Sequence, residues 1–321
     1  MRRETFSVLG MGILLAGSQL IAVGIAPLFA FASFQAFPEP DNPTNAVVYL
    51  VLILVFTAII LAFVKLRRRN VARGIILASI FLTLAFILLL PLFFLLVWIN
   101  DGLFNSEFGG NLATLLAFIL AGLLIGLLVK VPEWYVVDTI GFATAAGVTA
   151  IMGISFSILP ALILLVALAA YDAWAVYRTK HMVTLADELT SQKLPVLLVV
   201  PKHRGYKFSE QKSLKAQIAE GEEREAMFIG LGDLIIPGIM AVSARAFLTD
   251  DVGLRVGAVP PSAIVALAAI AGTLVGFTVL MRFVLKGNPQ AGLPLLNGGA
   301  IAGFFLGVLL VYGTVVPPLV P

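Results

Sequence analysis

The chain has 321 residues, 60% of them hydrophobic and only 12% charged, with no cysteine and a net charge of +3. A soluble domain carries about 25% charged residues, so this chain lacks the polar surface of a water-soluble particle and its solvent is lipid. The missing cysteine excludes disulfides and thiol chemistry.

In lipid the backbone must satisfy its own hydrogen bonds, which leaves helices or a closed barrel. The apolar runs are continuous rather than alternating, so helices are expected. A spanning helix needs about 20 mostly apolar residues. The sequence predicts nine, over 6–34, 46–64, 74–99, 112–129, 134–152, 156–177, 226–247, 259–284 and 295–315. The first has a second reading: Met1-Arg2-Arg3, an apolar stretch and Ala30-Phe31-Ala32 resemble a signal peptide with a small-residue cleavage site. Its length favours a retained helix.

Glycines recur every fourth residue at Gly122 and Gly126, at Gly272 and Gly276, and at Gly299, Gly303 and Gly307. Such spacing lets helix backbones approach closely in lipid. With the N-terminus cytoplasmic, all of the 21 Lys and Arg residues except Arg245 and Arg255 fall in cytoplasmic segments, as the positive-inside rule requires. The expected fold is all-α: a polytopic membrane protein of nine transmembrane helices, N-terminus cytoplasmic and C-terminus outside. It is read as one domain over 1–321, with helices one to six in 1–177, a cytoplasmic loop at 178–225 and helices seven to nine in 226–321. The basic residues sit in short loops and act as topology signals, so no nucleic acid partner is expected.

Within the loop, Thr184 to Gln192 is expected to form a short helix. Pro195 to Val200 reads as a short strand bounded by prolines, and Lys202 to Arg224 as a charged, mobile stretch. The strand has two readings: a segment resting on the membrane surface, or an edge that pairs with an extended peptide.

A charge at membrane depth is a functional hypothesis by default. Three acidic residues are embedded: Asp138, Asp172 and Asp233. Asp172 lies six residues before Arg178, about 9 Å in from the cytoplasmic end of helix six, and Asp233 eight residues after Glu225, about 12 Å in from the same side. Helices six and seven run antiparallel, so if they pack together the two carboxyls lie at nearly one level. Two such carboxylates cannot both ionise easily, and the pair titrates as a unit. That is the arrangement of an aspartic protease: one carboxylate takes a proton from water and the protonated one donates to the scissile carbonyl.

Gly230-Leu231-Gly232 precedes Asp233, and glycines there permit close approach by another chain. Pro237 deprives the Asp233 carbonyl of its helical partner, so an irregular or kinked helix is expected. Tyr171 belongs either to an interfacial aromatic belt with Trp174 and Tyr177 or to the lining of the site. Asp138 lies about 8 Å in from the cytoplasmic side; a hydrated or capping role is expected, with support of the other two as the alternative. Other hydrolytic machinery is missing from the sequence: His181 and His203 have no His-Glu-x-x-His spacing and lie outside the apolar runs, and there is no Walker A loop.

Tyr171-Asp172 on one helix and Gly230-Leu231-Gly232-Asp233 on the next resemble the YD and GxGD signatures of the presenilin and signal peptide peptidase family. The nine spans and the loop between helices six and seven match as well, and the chain looks closest to archaeal presenilin homologues. The family's Pro-Ala-Leu signature corresponds here to Ala291-Gly292-Leu293-Pro294-Leu295-Leu296-Asn297. It can be read as Pro294-Leu295-Leu296, or with Gly292-Leu293-Pro294 replacing Ala-Leu-Pro. The resemblance implies an intramembrane aspartic endopeptidase with Asp172 and Asp233 catalytic. It places Tyr171, Gly230, Leu231, Gly232, Pro294 and Leu295 as substrate-binding or supporting residues. It implies no metal and no separate cofactor, a transmembrane peptide or protein as substrate, and the lipid bilayer of the cell membrane as surroundings; a homo-oligomer is compatible with it. Two other functions fit embedded aspartates: a proton- or sodium-coupled secondary transporter, against which the lack of inverted repeats argues, and a scaffold whose aspartates only link helices.

Overall fold

A computed structural model describes residues 2–66, 68–103, 107–179, 196–203, 205–208, 225–286 and 290–320. Among them are nine α-helices: α1 (Arg2–Phe31), α2 (Thr44–Lys65), α3 (Arg69–Ile99), α4 (Glu107–Lys130), α5 (Trp134–Ser155), α6 (Ile158–Trp174), α7 (Leu231–Phe247), α8 (Pro261–Val284) and α9 (Gly292–Tyr312). All but α7 are long and apolar enough to cross a membrane. The expected helix at Thr184 to Gln192 lies outside the described residues. The chain divides into two compact units.

The first unit takes in Met1–Phe56, Ala145–Ala186 and Ile229–Pro321. Its centre is α7, which packs against α1, α6, α8 and α9. Leu234 and every residue from Ile236 to Ala244 are buried, as expected of a helix apolar all round. Close contacts enforce this. A Cβ on Gly238 would come within 2.7 Å of Thr149 Cγ2, and one on Gly153 would run into the Val242 side chain.

The sequence places a helix over the whole of 226–247, and here the structure differs. Residues Ala226–Gly230 form a strand, and α7 begins only at Leu231. At 17 residues α7 reaches about 25 Å, short of the roughly 30 Å hydrocarbon layer. Such irregular backbone is tolerated at membrane depth where protein or a wet cavity surrounds it. The expected irregularity thus falls before Asp233, while the helix runs unbroken through Pro237.

Helices α8 and α9 meet along their glycines. A Cβ on Gly272 would strike the Gly299 carbonyl, one on Gly276 the Leu295 carbonyl, and one on Gly303 the Ala268 carbonyl. The glycine pair on α4 behaves otherwise. Gly126 has nothing opposite it, and the buried side of α4 carries Gly109, Ala113, Ala117 and Ala121. The same four-residue spacing of small residues is there, made of alanines.

The second unit takes in Thr57–Thr144 and Asp187–Phe228. In it α3 packs against α4. The strands β1 (Leu197–Pro201) and β2 (Ala226–Gly230) form a two-stranded sheet. Lys202 N donates to the Glu225 carbonyl at 2.9 Å, joining the end of β1 to the start of β2 as in a hairpin. Leu198, Val199 and Val200 are buried, so β1 packs into the core of this unit rather than lying on a surface. The last residues of β2 run on into the first unit.

Candidate active site

Asp172 sits in the last turn of α6, where the helix gives way to a π-helical turn at Ala175–Thr179. Single π-turns inside α-helices frequently mark functional sites. Its carboxyl is buried, with 6% of the residue exposed, and its partners lie across the unit. Leu293 N donates to Asp172 Oδ2 at 3.0 Å, and the Gly292 amide also hydrogen-bonds to it. These amides are the first two of α9, whose N-cap is Ala291. Helix N-termini present unpaired N–H groups and a positive dipole end, so the Asp172 carboxyl closes the start of α9.

Asp233 is the third residue of α7, with Gly230 as N-cap. Its carboxyl takes a hydrogen bond from the Gly230 backbone. This is the return half of a capping box, in which a side chain at the third helical position reaches back to the N-cap amide. The strand-to-helix junction therefore fixes the rotamer of Asp233.

The two carboxyls meet at one place. A Cβ on Gly292 would lie 3.0 Å from Asp233 Oδ1 and 3.4 Å from its Oδ2. Gly292 and Leu293 thus hold Asp172 through their amides while Asp233 rests against the bare Cα of Gly292. Among the described residues no group of three His, Asp or Glu side chains gathers as a metal ion would require.

The other sequence-derived residues are distributed unevenly around this pair. Leu231 opens α7 and is half-buried, while Gly232 is exposed with nothing within 4 Å of a Cβ built on it. That side of the GxGD segment is open for an approaching chain. Tyr171 is half-buried and lies 6.3 Å from Trp174, ring centre to ring centre; its hydroxyl makes no hydrogen bond among the described residues. Pro294 and Leu295 are half-buried, and the Leu295 carbonyl faces Gly276 on α8. The residues that touch the aspartates are Gly292 and Leu293, which only the second reading of the Pro-Ala-Leu-like segment includes.

Two contacts near the site carry no motif. Tyr177 donates its hydroxyl to Gln290 Oε1 at 2.7 Å, tying the end of α6 to the chain entering α9. Asn297, fully buried, donates Nδ2 to the Leu165 carbonyl at 2.8 Å, a second bond between α9 and α6. Both keep the Gly292–Leu293 amides against Asp172.

Asp138 belongs to the second unit and has a different partner. It is 9% exposed and accepts a 2.7 Å hydrogen bond from Val199 N of β1. Its partner is thus a strand amide rather than the end of a helix. Glu133, just before α5, accepts from Phe208 N at 3.0 Å. Burial, with Glu225, Glu133 and Asp138 around it, pushes the Tyr206 phenol above its usual range, so Tyr206 stays neutral.

Residues 11–313 match the family described as signal-peptide peptidase, presenilin aspartyl protease. Two solved structures of a presenilin family intramembrane aspartate protease, in C222 and P2 space groups, are each 34% identical to the chain. Each covers 94% of this chain, over 99% and 97% of their own, with TM-scores of 0.65 and 0.62. No curated protein matches.

Proposed function

Because this chain belongs to the signal-peptide peptidase and presenilin family of aspartyl proteases, and is an intramembrane aspartate protease, we propose that Asp172 and Asp233 are its catalytic pair. The observation that carries the assignment is the shared contact of both carboxyls with Gly292. One carboxylate takes a proton from the attacking water while the other, protonated, donates to the oxygen of the scissile carbonyl. Neither charge needs to leave the low-dielectric site, because the proton lost by one is regained through the other.

The substrate is a transmembrane segment in the bilayer. A helical peptide hides its amide bonds, so it must unwind before attack. The open side of Gly232 and the strand that runs into Leu231 offer an extended chain a place to lie. Gly230, Leu231, Gly232, Pro294 and Leu295 line that path, and Tyr171 flanks it. The distribution of Lys and Arg supports a cytoplasmic N-terminus, an outside C-terminus and residence in the cell membrane. Water then reaches the pair from the cytoplasmic side. The transporter reading finds no support in the family or in either solved neighbour.

The test is cleavage of a single-span peptide by the purified protein in detergent. Asp172→Asn and Asp233→Asn are each expected to abolish cleavage while leaving the protein folded. Cleavage surviving in either variant would reject the pair.

A further inference from the structure

Helix α7 carries Asp233 in its first turn, and two residues weaken the turn that follows. Pro237 leaves the Asp233 carbonyl without an amide four residues on, and Gly238 is the poorest helix former after proline. Gly238 has neighbours that explain it. A Cβ there would lie 2.9 Å from Gln19 Cγ and 2.7 Å from Thr149 Cγ2. A bare Cα lets the Gln19 side chain of α1 lie against the α7 backbone. From that position Gln19 Nε2 donates to the Leu234 carbonyl at 3.5 Å. The bond is long, and it falls on the residue that directly follows Asp233.

Packing alone does not account for a glutamine here. Gln19 is fully buried, and among the described residues its Oε1 meets no donor. A buried polar atom without a partner costs stability, and an apolar side chain of the same length would fill the space without that cost. Thr149 is the comparison. It too is fully buried against Gly238, and its hydroxyl has no partner among the described residues. Of the two polar side chains on Gly238, Gln19 is the one tied to the backbone of α7. A feature that costs stability beside an active site is the trade expected where activity requires it.

We propose that Gln19 is a positioning residue for Asp233, its amide holding the peptide that follows the aspartate. Asp233 is then held from two sides. The Gly230 backbone fixes its carboxyl, and Gln19 fixes the Leu234 carbonyl in the turn that Pro237 leaves one hydrogen bond short. All of these residues belong to the first unit. The role rests on the assignment of Asp233 to the catalytic pair. It requires the donor at position 19, not the acceptor.

The experiment measures kcat, KM and the pH profile of kcat/KM for a single-span peptide with the full-length protein in detergent, together with Tm. Methionine matches glutamine in length and lacks its donor. Gln19→Met is expected to lower kcat about tenfold, the scale of one lost hydrogen bond, with KM within about twofold of the parent. Loosening Asp233 from Asp172 weakens their coupling, so the two limbs of the pH profile draw together. Tm holds or rises, because the unpaired amide oxygen is removed. Thr149→Val takes a hydroxyl from the same contact but no bond to α7, and its kcat is expected to stay within about twofold of the parent. A lower Tm in Gln19→Met, with kcat and the pH profile unchanged, would assign Gln19 to packing and overturn the proposal. Equal losses of kcat in Gln19→Met and Thr149→Val would overturn it too. Should Gln19→Met not fold, Gln19→Asn keeps the amide but draws it back by one methylene, and the same loss of kcat is expected; a parent-like kcat rejects the proposal. Cleavage persisting in Asp233→Asn would break the catalytic assignment itself, whereas loss of cleavage there with a parent-like kcat in Gln19→Met breaks only this proposal.

Discussion

Asp172 and Asp138 are both buried carboxyls on apolar helices, and both accept backbone amides from a segment distant in sequence. By burial and hydrogen bonding alone they are alike. What separates them is the neighbour: Asp172 faces a second carboxyl across Gly292, while Asp138 faces a strand. An embedded acid thus marks a place where backbone amides must be held, and chemistry follows only where two acids meet.

Asparagine substitution breaks this comparison most sharply. At Asp172 or Asp233 it is expected to lower kcat at least about 10⁴-fold, since residues acting as a unit lose nearly everything singly. At Asp138 the same change is expected to be close to neutral in kcat, measured on the same peptide. Equal losses at all three positions would erase the distinction.

Gly292→Val probes the meeting point itself. Its Cβ would press on Asp233 Oδ1, and a misplacement of about 1 Å costs on the order of 10²-fold in kcat. The measurement is single-turnover cleavage, with the Tm unchanged. Gly272→Leu tests the frame behind the site. Its side chain would strike the Gly299 carbonyl, so thermal unfolding is expected to show a destabilisation of about 3 kcal/mol. Gly126→Leu, with open space opposite, is the control that should move the Tm little. Tyr177→Phe removes one hydrogen bond to Gln290. It is expected to reduce kcat only severalfold, in line with the net worth of about 1 kcal/mol for such a bond.

Much of this frame is legible in the sequence because it depends on local pattern. Long apolar runs give the helices, and the rarity of acids in those runs singles out Asp138, Asp172 and Asp233. Partnerships across the fold are less legible. Ala226–Gly230 is as apolar as the helix that follows it, and only pairing with β1, some 25 residues earlier, makes it a strand. Ala113, Ala117 and Ala121 form the packed side of α4 in place of the expected Gly122 and Gly126, because spacing shows a small-residue row without showing which side of the helix has a neighbour. Gly292 and Leu293 stand out in the sequence only as one register of a signature, since what they supply are backbone amides that any residue but proline carries. Asp138 could not be assigned a partner because Val199 is 61 residues away.

The sharing of one proton between Asp172 and Asp233 is tested most directly by the pH dependence of kcat/KM for peptide cleavage. A bell-shaped profile is expected, with one limb for each ionisation of the coupled pair, and the Asp138→Asn variant is expected to keep the same shape, so that neither limb belongs to Asp138. A profile with a single limb would mean that one carboxyl works alone, and would contradict the account.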